Sequence, residues 1–565
     1  MSQLGGVPVI ILKEGTESTK GKSARSKNIQ AIRAVAEAVK TTLGPRGMDK
    51  MLVDSLGDVT ITNDGAAILE KIEVDHPGAK MAVEIAKNQD DQVGDGTTSA
   101  VIVASQLLTV AEELMEQGIH PNTIARGFQK ALTQALAIIN EVAKNTENDP
   151  KILKQCAITT MNSKGMAGKR DFFADIAVDV MQKVYEEGNT SYEAVKNVVV
   201  LKKKGKSLQE TEVISGIVLE KEPVHPLMPK SLSGGLKIAI IAHAFEIKKT
   251  EFSSELRITS ADQMQAFLDR EEDVMKKYAD KMKELGIQVV INQKGIEDTA
   301  AHYLNKAGIF AVKSVTKSDL ENLARATGAT IVEDIFSMEA KDLGYAEKLE
   351  CKKIAGDDLI YINGCKHPKT LTIIIRGGTN SVIEEAERTL HDALSVVGTL
   401  LEKKKFVAGG GAIEMEISAR LLDFATEEKG KEQLAIESFA RSLECIPIAL
   451  ADNAGIEPID IIAQLRAKHV KPGSEGWGLE IFAQKLKNNY LTGVIEPAAS
   501  IQTFIKSATE LAILILRIDE MIKAKKTEGP PGGGMPPGGM GGMGGMGGMG
   551  GMGGMPGGMG GMDDY

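Results

Sequence analysis

The six residues Gly94-Asp95-Gly96-Thr97-Thr98-Ser99 are the part of this chain best suited to chemistry. Glycines let a backbone approach a ligand closely. The hydroxyls stand where a helix is expected to begin, running from about Thr97 to Gln117. A helix N-terminus presents unpaired N–H groups and a partial positive charge, which suits phosphate. An aspartate in the same turn adds a hard oxygen ligand for Mg2+. Thr and Asp are also ordinary helix starters, so a structural N-cap explains the same residues. Two further aspartates are ambiguous alone. Asp64 sits in Asn63-Asp64-Gly65, a good turn without any function. Asp392 lies on a predicted helix whose apolar face carries Ile383, Ala386, Leu390, Ala393, Leu394 and Val397. It falls about 200° around from Leu390, facing solvent or a cleft. An i,i+4 surface pair with Arg388 is the plainer reading, worth a few tenths of a kcal/mol.

Other chemistries are not supported. Gly15 to Ser23 reads GTESTKGKS, but a phosphate-binding P-loop needs four residues before its Gly-Lys-Ser, and here Thr16 to Lys20 makes five. That segment reads as a polar surface linker after a possible strand at Val9 to Leu12. No Gly-x-Ser-x-Gly turn and no His-Glu-x-x-His helix occurs.

The elements that must position these residues follow from periodicity. Ile29, Ile32, Ala36 and Val39 recur at helical spacing, from about Asn28 to Lys40. Leu43-Gly44-Pro45-Arg46-Gly47 breaks that helix, and Val59 to Thr62 reads as a short strand. Gly118 suits the C-terminal cap of the Thr97 helix. In the middle, strands at Lys237–Ala242, Gln288–Ile291, Ile309–Val312 and Thr330–Val332 alternate with helices. One of those helices is opened by a Ser260/Gln263 capping box. Alternation implies a parallel sheet and a separate α/β module. Leu371–Ile375 is a further strand before the Asp392 helix, and from about Ala412 to Lys525 the pattern is again helical. A module inserted into a helical domain would let both chain ends build one unit.

Length and composition fit this reading. A chain of 565 residues suggests about three or four domains or one large multipart fold. Its 42% hydrophobic and 25% charged content is that of an ordinary globular protein. The net charge of −10 disfavours nucleic acid as the main partner. The longest strongly apolar run, Leu511 to Leu516, is too short for a bilayer, and no signal peptide is apparent. Four cysteines without a CxxC pair read as reduced, mostly buried cytosolic thiols. From Gly529 onward, where 20 of 59 glycines and nine of 24 methionines lie, Gly-Gly-Met triplets read as a disordered tether, a simpler reading than Cu(I) binding by Met-x-x-Met.

Five motifs occur together and in order: Leu43-Gly44-Pro45-Arg46-Gly47-Met48-Asp49-Lys50-Met51-Leu52, Thr62-Asn63-Asp64-Gly65, Gly94-Asp95-Gly96-Thr97-Thr98, Gly409-Gly410-Gly411-Ala412 and Gly493-Val494-Ile495-Glu496-Pro497. With them the chain resembles the group II chaperonins of the archaeal thermosome type, over essentially all of residues 1 to 528. The resemblance implies a multidomain α+β and α/β chain with nested insertions. A mainly helical equatorial ATP-binding domain would take 1–150 and 405–528. A small intermediate hinge domain would take 151–220 and 370–404. An α/β apical substrate-binding domain would take 221–369, with a helical lid protrusion near 247–274.

It also implies residue roles. Asp95 would ligate Mg2+, and Thr97, Thr98 and Ser99, with Gly94 and Gly96, would hold phosphate. Leu43, Gly44 and Pro45 would lie along the nucleotide, Gly410 and Gly411 near the adenosine, and Glu496 at the ribose. Asp64 and Asp392 would position the attacking water, and Lys164 of Asn162-Ser163-Lys164 would sense the phosphates. The implied partners are unfolded proteins and self or paralogous subunits in a double ring, with no separate lid co-chaperonin. The chain departs from the family pattern at Gly478 to Phe482 and at Asn488-Asn489-Tyr490, on the adenine side, and mildly at Arg46. A small-molecule phosphotransferase and a non-hydrolysing ring scaffold are the alternatives.

Overall fold

The computed structural model describes residues 17–55, 57–72, 74–163, 168–245, 261–366 and 370–523, without the side chains of 17–18, 261–272 and 523. Two compact units result, 1–19 with 521–565, and 20–520. The described part of the smaller unit lies in strands Glu17–Lys20 and Glu520–Lys523, which pair. The predicted strand at Val9–Leu12, residue Ser260 of the capping box, most of the lid span and the Gly-Gly-Met tail lie outside the described residues.

In the larger unit three large apolar clusters form, with a small fourth of Val218, Leu359, Tyr361 and Ile374. The first joins Ile29 through Val142 to Val407 through Leu516. Helix Gly21–Lys40 buries Ala24, Ile29, Ile32, Ala36 and Val39 as one stripe. It begins seven residues before the predicted Asn28, because Gly21-Lys22-Ser23, expected to be linker, is already helical. Helix Thr97–Glu116 is buried without interruption from Thr97 to Ser105, and Gly118 follows its end at φ +83°. It packs against helices Gly21–Lys40, Pro77–Val93 and Ala498–Leu516. By length and composition Thr97–Glu116 and Ala498–Leu516 could cross a membrane, but both are mostly buried inside this core.

The second cluster runs from Ile217 to Ile362 around a seven-stranded sheet. Strands Phe310–Val312, Val289–Asn292, Ser231–Ile241 and Ile331–Val332 are parallel as expected. The sheet is nonetheless mixed: Gly344–Ile354, Asp357–Asn363 and Gly216–Leu219 add an antiparallel half. The reason is a two-residue turn, Ala355-Gly356, with φ +57° and +96°. Two left-handed residues make the turn whose twist matches a hairpin.

The third cluster joins Leu153 through Leu208 to Leu371 through Phe406. Strand Leu371–Gly377 lies between Val198–Lys204 and Glu212–Ile214. Helix Asn380–Lys403 follows, N-capped by the Thr379 hydroxyl, which accepts from the Val382 N–H. All four cysteines are free; only Cys156 is buried and the other three are half-buried, short of the burial expected.

Candidate nucleotide site

Two left-handed glycines bracket Asp95. Gly94 (φ +67°) caps the end of helix Pro77–Val93, and Gly96 (φ +80°) opens helix Thr97–Glu116 with no side-chain cap. The first N–H groups of that helix are therefore left for something else to satisfy. The Asp95 carboxylate is fixed: one oxygen accepts from the Gly96 N–H at 2.7 Å and the other from the Thr160 hydroxyl at 2.8 Å. The buried Gln89 amide donates to the carbonyls of Asp95 (2.7 Å) and Ser500 (3.2 Å), tying the turn to helix Ala498–Leu516.

Two close backbone approaches bring the other aspartates here. A Cβ at Gly94 would stand 2.2 Å from the Ser395 Cβ, so helix Asn380–Lys403 presses directly on the turn. A Cβ at Gly65 would stand 2.3 Å from the Thr98 Oγ1. One compartment is accordingly lined by Asp64, Asp95 and Asp392 with Thr97, Thr98 and Ser99. Asp64 caps helix Gly65–Lys71, its Oδ2 accepting from the Ala67 N–H at 2.9 Å. Asp392 is 8% exposed and faces the cleft, not solvent. Arg388, the residue expected to pair with it, bonds Glu385 at 2.9 Å.

A larger compartment adjoins the first, sharing Leu43, Gly44, Asp95, Gly96, Ser99 and Ser163. Pro45, Gly410, Gly411 and Glu496 line it. The Asn453 amide holds the Leu43 turn by donating to the carbonyls of Lys40 (3.0 Å) and Leu43 (2.9 Å). Asn489 donates to the Gly409 carbonyl at 2.8 Å, and the Leu479 N–H donates to the Gly410 carbonyl at 2.9 Å. Through these bonds the hairpin of Trp477–Glu480 and Lys485–Asn488 leans on the triple-glycine loop. The segment that departs from the expected pattern thus still borders the cleft, through Leu479, Glu480, Ile481 and Phe482. Trp477 lies in the hairpin, its indole 3.8 Å below the Lys468 ammonium.

The cleft therefore gathers every described residue expected at the site. Lys164 lies outside the described residues; its neighbours Asn162 and Ser163 line the cleft. Several participants carry no sequence signal of their own: Thr160, Asn453, Glu385, Ser500 and Glu414. Glu414 is 3% exposed and lines the larger compartment. Burial pushes its carboxyl up to about 7. Burial, then the charges of Glu414 and Asp95, push Glu496 up to about 8.

A nucleoside triphosphate fits these walls. An uncapped helix N-terminus suits its phosphates. The buried Glu414 Oε2 and Ser500 Oγ have no partner among the described residues, and both residues line the cleft. Among the described residues no three His, Cys, Asp or Glu gather to hold a metal unaided. Mg2+ here would share Asp95 with phosphate oxygens, its usual manner of binding.

Comparison with known proteins agrees. Residues 35–526 match the TCP-1/cpn60 chaperonin family. The chain is 49% identical to thermosome subunit beta of Thermococcus kodakarensis over 94% of its length and 97% of the relative's. It is 48% identical to a thermosome subunit of Pyrococcus horikoshii and 47% identical to thermosome subunit alpha of Archaeoglobus fulgidus, each over 94% of this chain and 98% of the relative. A match of this extent settles kinship: the chain belongs to the TCP-1/cpn60 chaperonin family.

Proposed function

We propose that this chain is a subunit of an ATP-driven, double-ring folding chamber that encloses unfolded proteins beneath a built-in lid. The observation that carries the proposal is the convergence of Asp64, Asp95 and Asp392 on one compartment at an open helix N-terminus. Asp64 caps its own helix without needing the other two, so the cap does not explain why the three carboxylates meet. The first apolar cluster corresponds to an equatorial domain (1–150, 405–528) and the third to an intermediate domain (151–220, 370–404). The second corresponds to an apical domain (221–369), with the lid near 247–274 making a separate co-chaperonin unnecessary. Self or paralogous copies complete the rings, and free thiols suit a cytoplasmic location.

ATP is the substrate. The Thr97 helix start, with Thr97, Thr98 and Ser99, binds its phosphates, while Leu43, Gly44 and Pro45 line its length. Gly410 and Gly411 adjoin the adenosine, Glu496 the ribose, and Lys164 approaches the phosphates. Asp95 would hold Mg2+, which would supply charge neutralisation on the triphosphate. Asp64 and Asp392 orient a water molecule and take its proton as it attacks the γ-phosphorus. The bond from phosphorus to the β–γ bridging oxygen breaks, giving ADP and phosphate. Because Asp392 rides on the helix of the intermediate domain, hydrolysis is coupled to closure of that domain over the nucleotide.

Replacing Asp392 tests the scheme. Asp392→Ala should bind ATP normally but hydrolyse it about 100-fold or more slowly, the usual scale for losing a general base. Electron microscopy of the assembled protein should show stacked rings, which a small-molecule phosphotransferase would not form. Unchanged turnover in the variant would remove Asp392 from the mechanism; a monomer that leaves ATP intact would overturn the whole reading.

A further inference from the structure

Helix Ala412–Glu427 carries two buried glutamates, two residues apart, in opposite circumstances. Glu416 is fully engaged: the Arg420 Nε meets it at 2.7 Å and the His469 Nδ1 at 2.7 Å. Glu414 is more deeply buried, at 3% exposure, yet its Oε2 has no hydrogen-bond partner. Its carboxyl engages its own backbone N–H. Folded chains rarely leave a buried acceptor unmet, because desolvation is then uncompensated. Nothing among the described residues satisfies this oxygen, and the side chain borders the cleft. The missing donor is therefore something that enters the cleft.

The chemistry of the entrant narrows the choice. With its carboxyl at about 7, Glu414 is part ionised near neutrality, and in that form it accepts only, so the partner that holds it ionised must donate. A triphosphate offers no donor and repels a carboxylate. Its phosphates are already provided for at the Thr97 helix, in the adjoining compartment. The remaining donors of ATP are the adenine amino group and the two ribose hydroxyls. Ile446, Leu450 and Ile481 give the cleft an apolar stretch suited to the base. Glu414 is instead close enough to Glu496 to raise its carboxyl. Two neighbouring carboxyls match two neighbouring hydroxyls.

We propose that Glu414 is a specificity-determining residue that accepts a hydrogen bond from one ribose hydroxyl of the bound nucleotide, beside Glu496 on the other. The proposal deepens the nucleotide reading given above and rests on it. Selection for a ribonucleotide over a deoxyribonucleotide follows, because a deoxy analogue leaves Glu414 unpaired when the cleft fills.

The test compares ATP, 2′-deoxy-ATP and 3′-deoxy-ATP on the full-length assembled protein, by calorimetric Kd and by KM. The wild type should bind at least one deoxy analogue about tenfold or more weakly than ATP, as expected for losing a hydrogen bond to a charged group. Glu414→Leu should erase the discrimination at one hydroxyl and keep it at the other. Glu414→Gln, whose amide oxygen still accepts, should retain part of it. A wild type that binds all three nucleotides equally overturns this proposal alone, whether or not the variants fold. So does a folded Glu414→Leu protein with wild-type discrimination. A wild type that binds none of the three overturns the nucleotide reading itself.

Discussion

The Thr62 hydroxyl donates to the Glu385 carboxylate at 3.3 Å across 323 residues of sequence. The same hydroxyl accepts from the Asp64 N–H at 3.1 Å. Glu385 stands on the helix that carries Asp392, and Arg388 braces it at 2.9 Å. One hydroxyl thus bridges the backbone of one candidate water-orienting aspartate and the helix of the other. The two carboxylates are set relative to each other by this bridge as well as by packing.

Glu385→Ala should therefore lower kcat for ATP hydrolysis by about tenfold while KM changes less than about twofold. Small misplacements of reacting groups cost rate more than binding. Steady-state kinetics checks this; an equal loss in KM would mean that Glu385 acts through the nucleotide pocket and not through the aspartates.

Gly94→Ala should be damaging for two separable reasons. A left-handed alanine costs about 1 kcal/mol or more. Its Cβ would also stand 2.2 Å from the Ser395 Cβ. The second effect pushes helix Asn380–Lys403, and Asp392 with it, off the turn. Ser395→Gly removes the obstructing atom, so the double variant should regain much of the kcat lost in Gly94→Ala while remaining less stable than the wild type. No recovery would show that conformation alone, and not helix contact, explains the glycine.

Burial raises the Glu414 carboxyl from the ordinary carboxylate range to about 7. The folded protein then holds a proton that the unfolded chain has released. Stability is highest at low pH on this account and is lost as pH rises from about 4.5 through about 7. The loss is on the order of 1–3 kcal/mol. Glu414→Gln cannot ionise, so without nucleotide it should melt a few degrees above the wild type at pH 8.5 and no higher at pH 4.5. Thermal melts at the two pH values check the sign; a lower melting point at pH 8.5 would contradict it.

Motif spacing made the Asp95 side of the cleft legible. Gly94 to Ser99, Asn63 to Gly65 and Gly409 to Ala412 need particular residue types for backbone reasons, and those show in a sequence. Asp392 was half legible. Helical geometry placed it off the apolar seam, but not which surface covers that side, and Arg388 proved to belong to Glu385. Glu414 was illegible because its place depends on a second wall: helix periodicity cannot distinguish a buried unpaired glutamate from a solvated one. The antiparallel half of the large sheet was missed for a similar reason. Gly344–Ile354 is rich in lysine and glutamate, and only Tyr345, Glu347 and their neighbours turning outward lets Ala346 and Leu349 reach the core. The start at Gly21 was missed because a short polar stretch can begin a helix once tertiary contacts hold the later turns.

The helical core closes only when Ala498–Leu516 reaches Thr97–Glu116. During synthesis the earlier helix leaves the ribosome some 380 residues before its partner, a wait of about 20 to 80 s at roughly 5–20 residues per second. Helices Gly21–Lys40 and Pro77–Val93 are already made by then, but throughout that interval the apolar face that Ala498–Leu516 covers lacks its native neighbour. A member of a family named for guarding unfinished chains is itself, while being made, a nascent chain in need of protection.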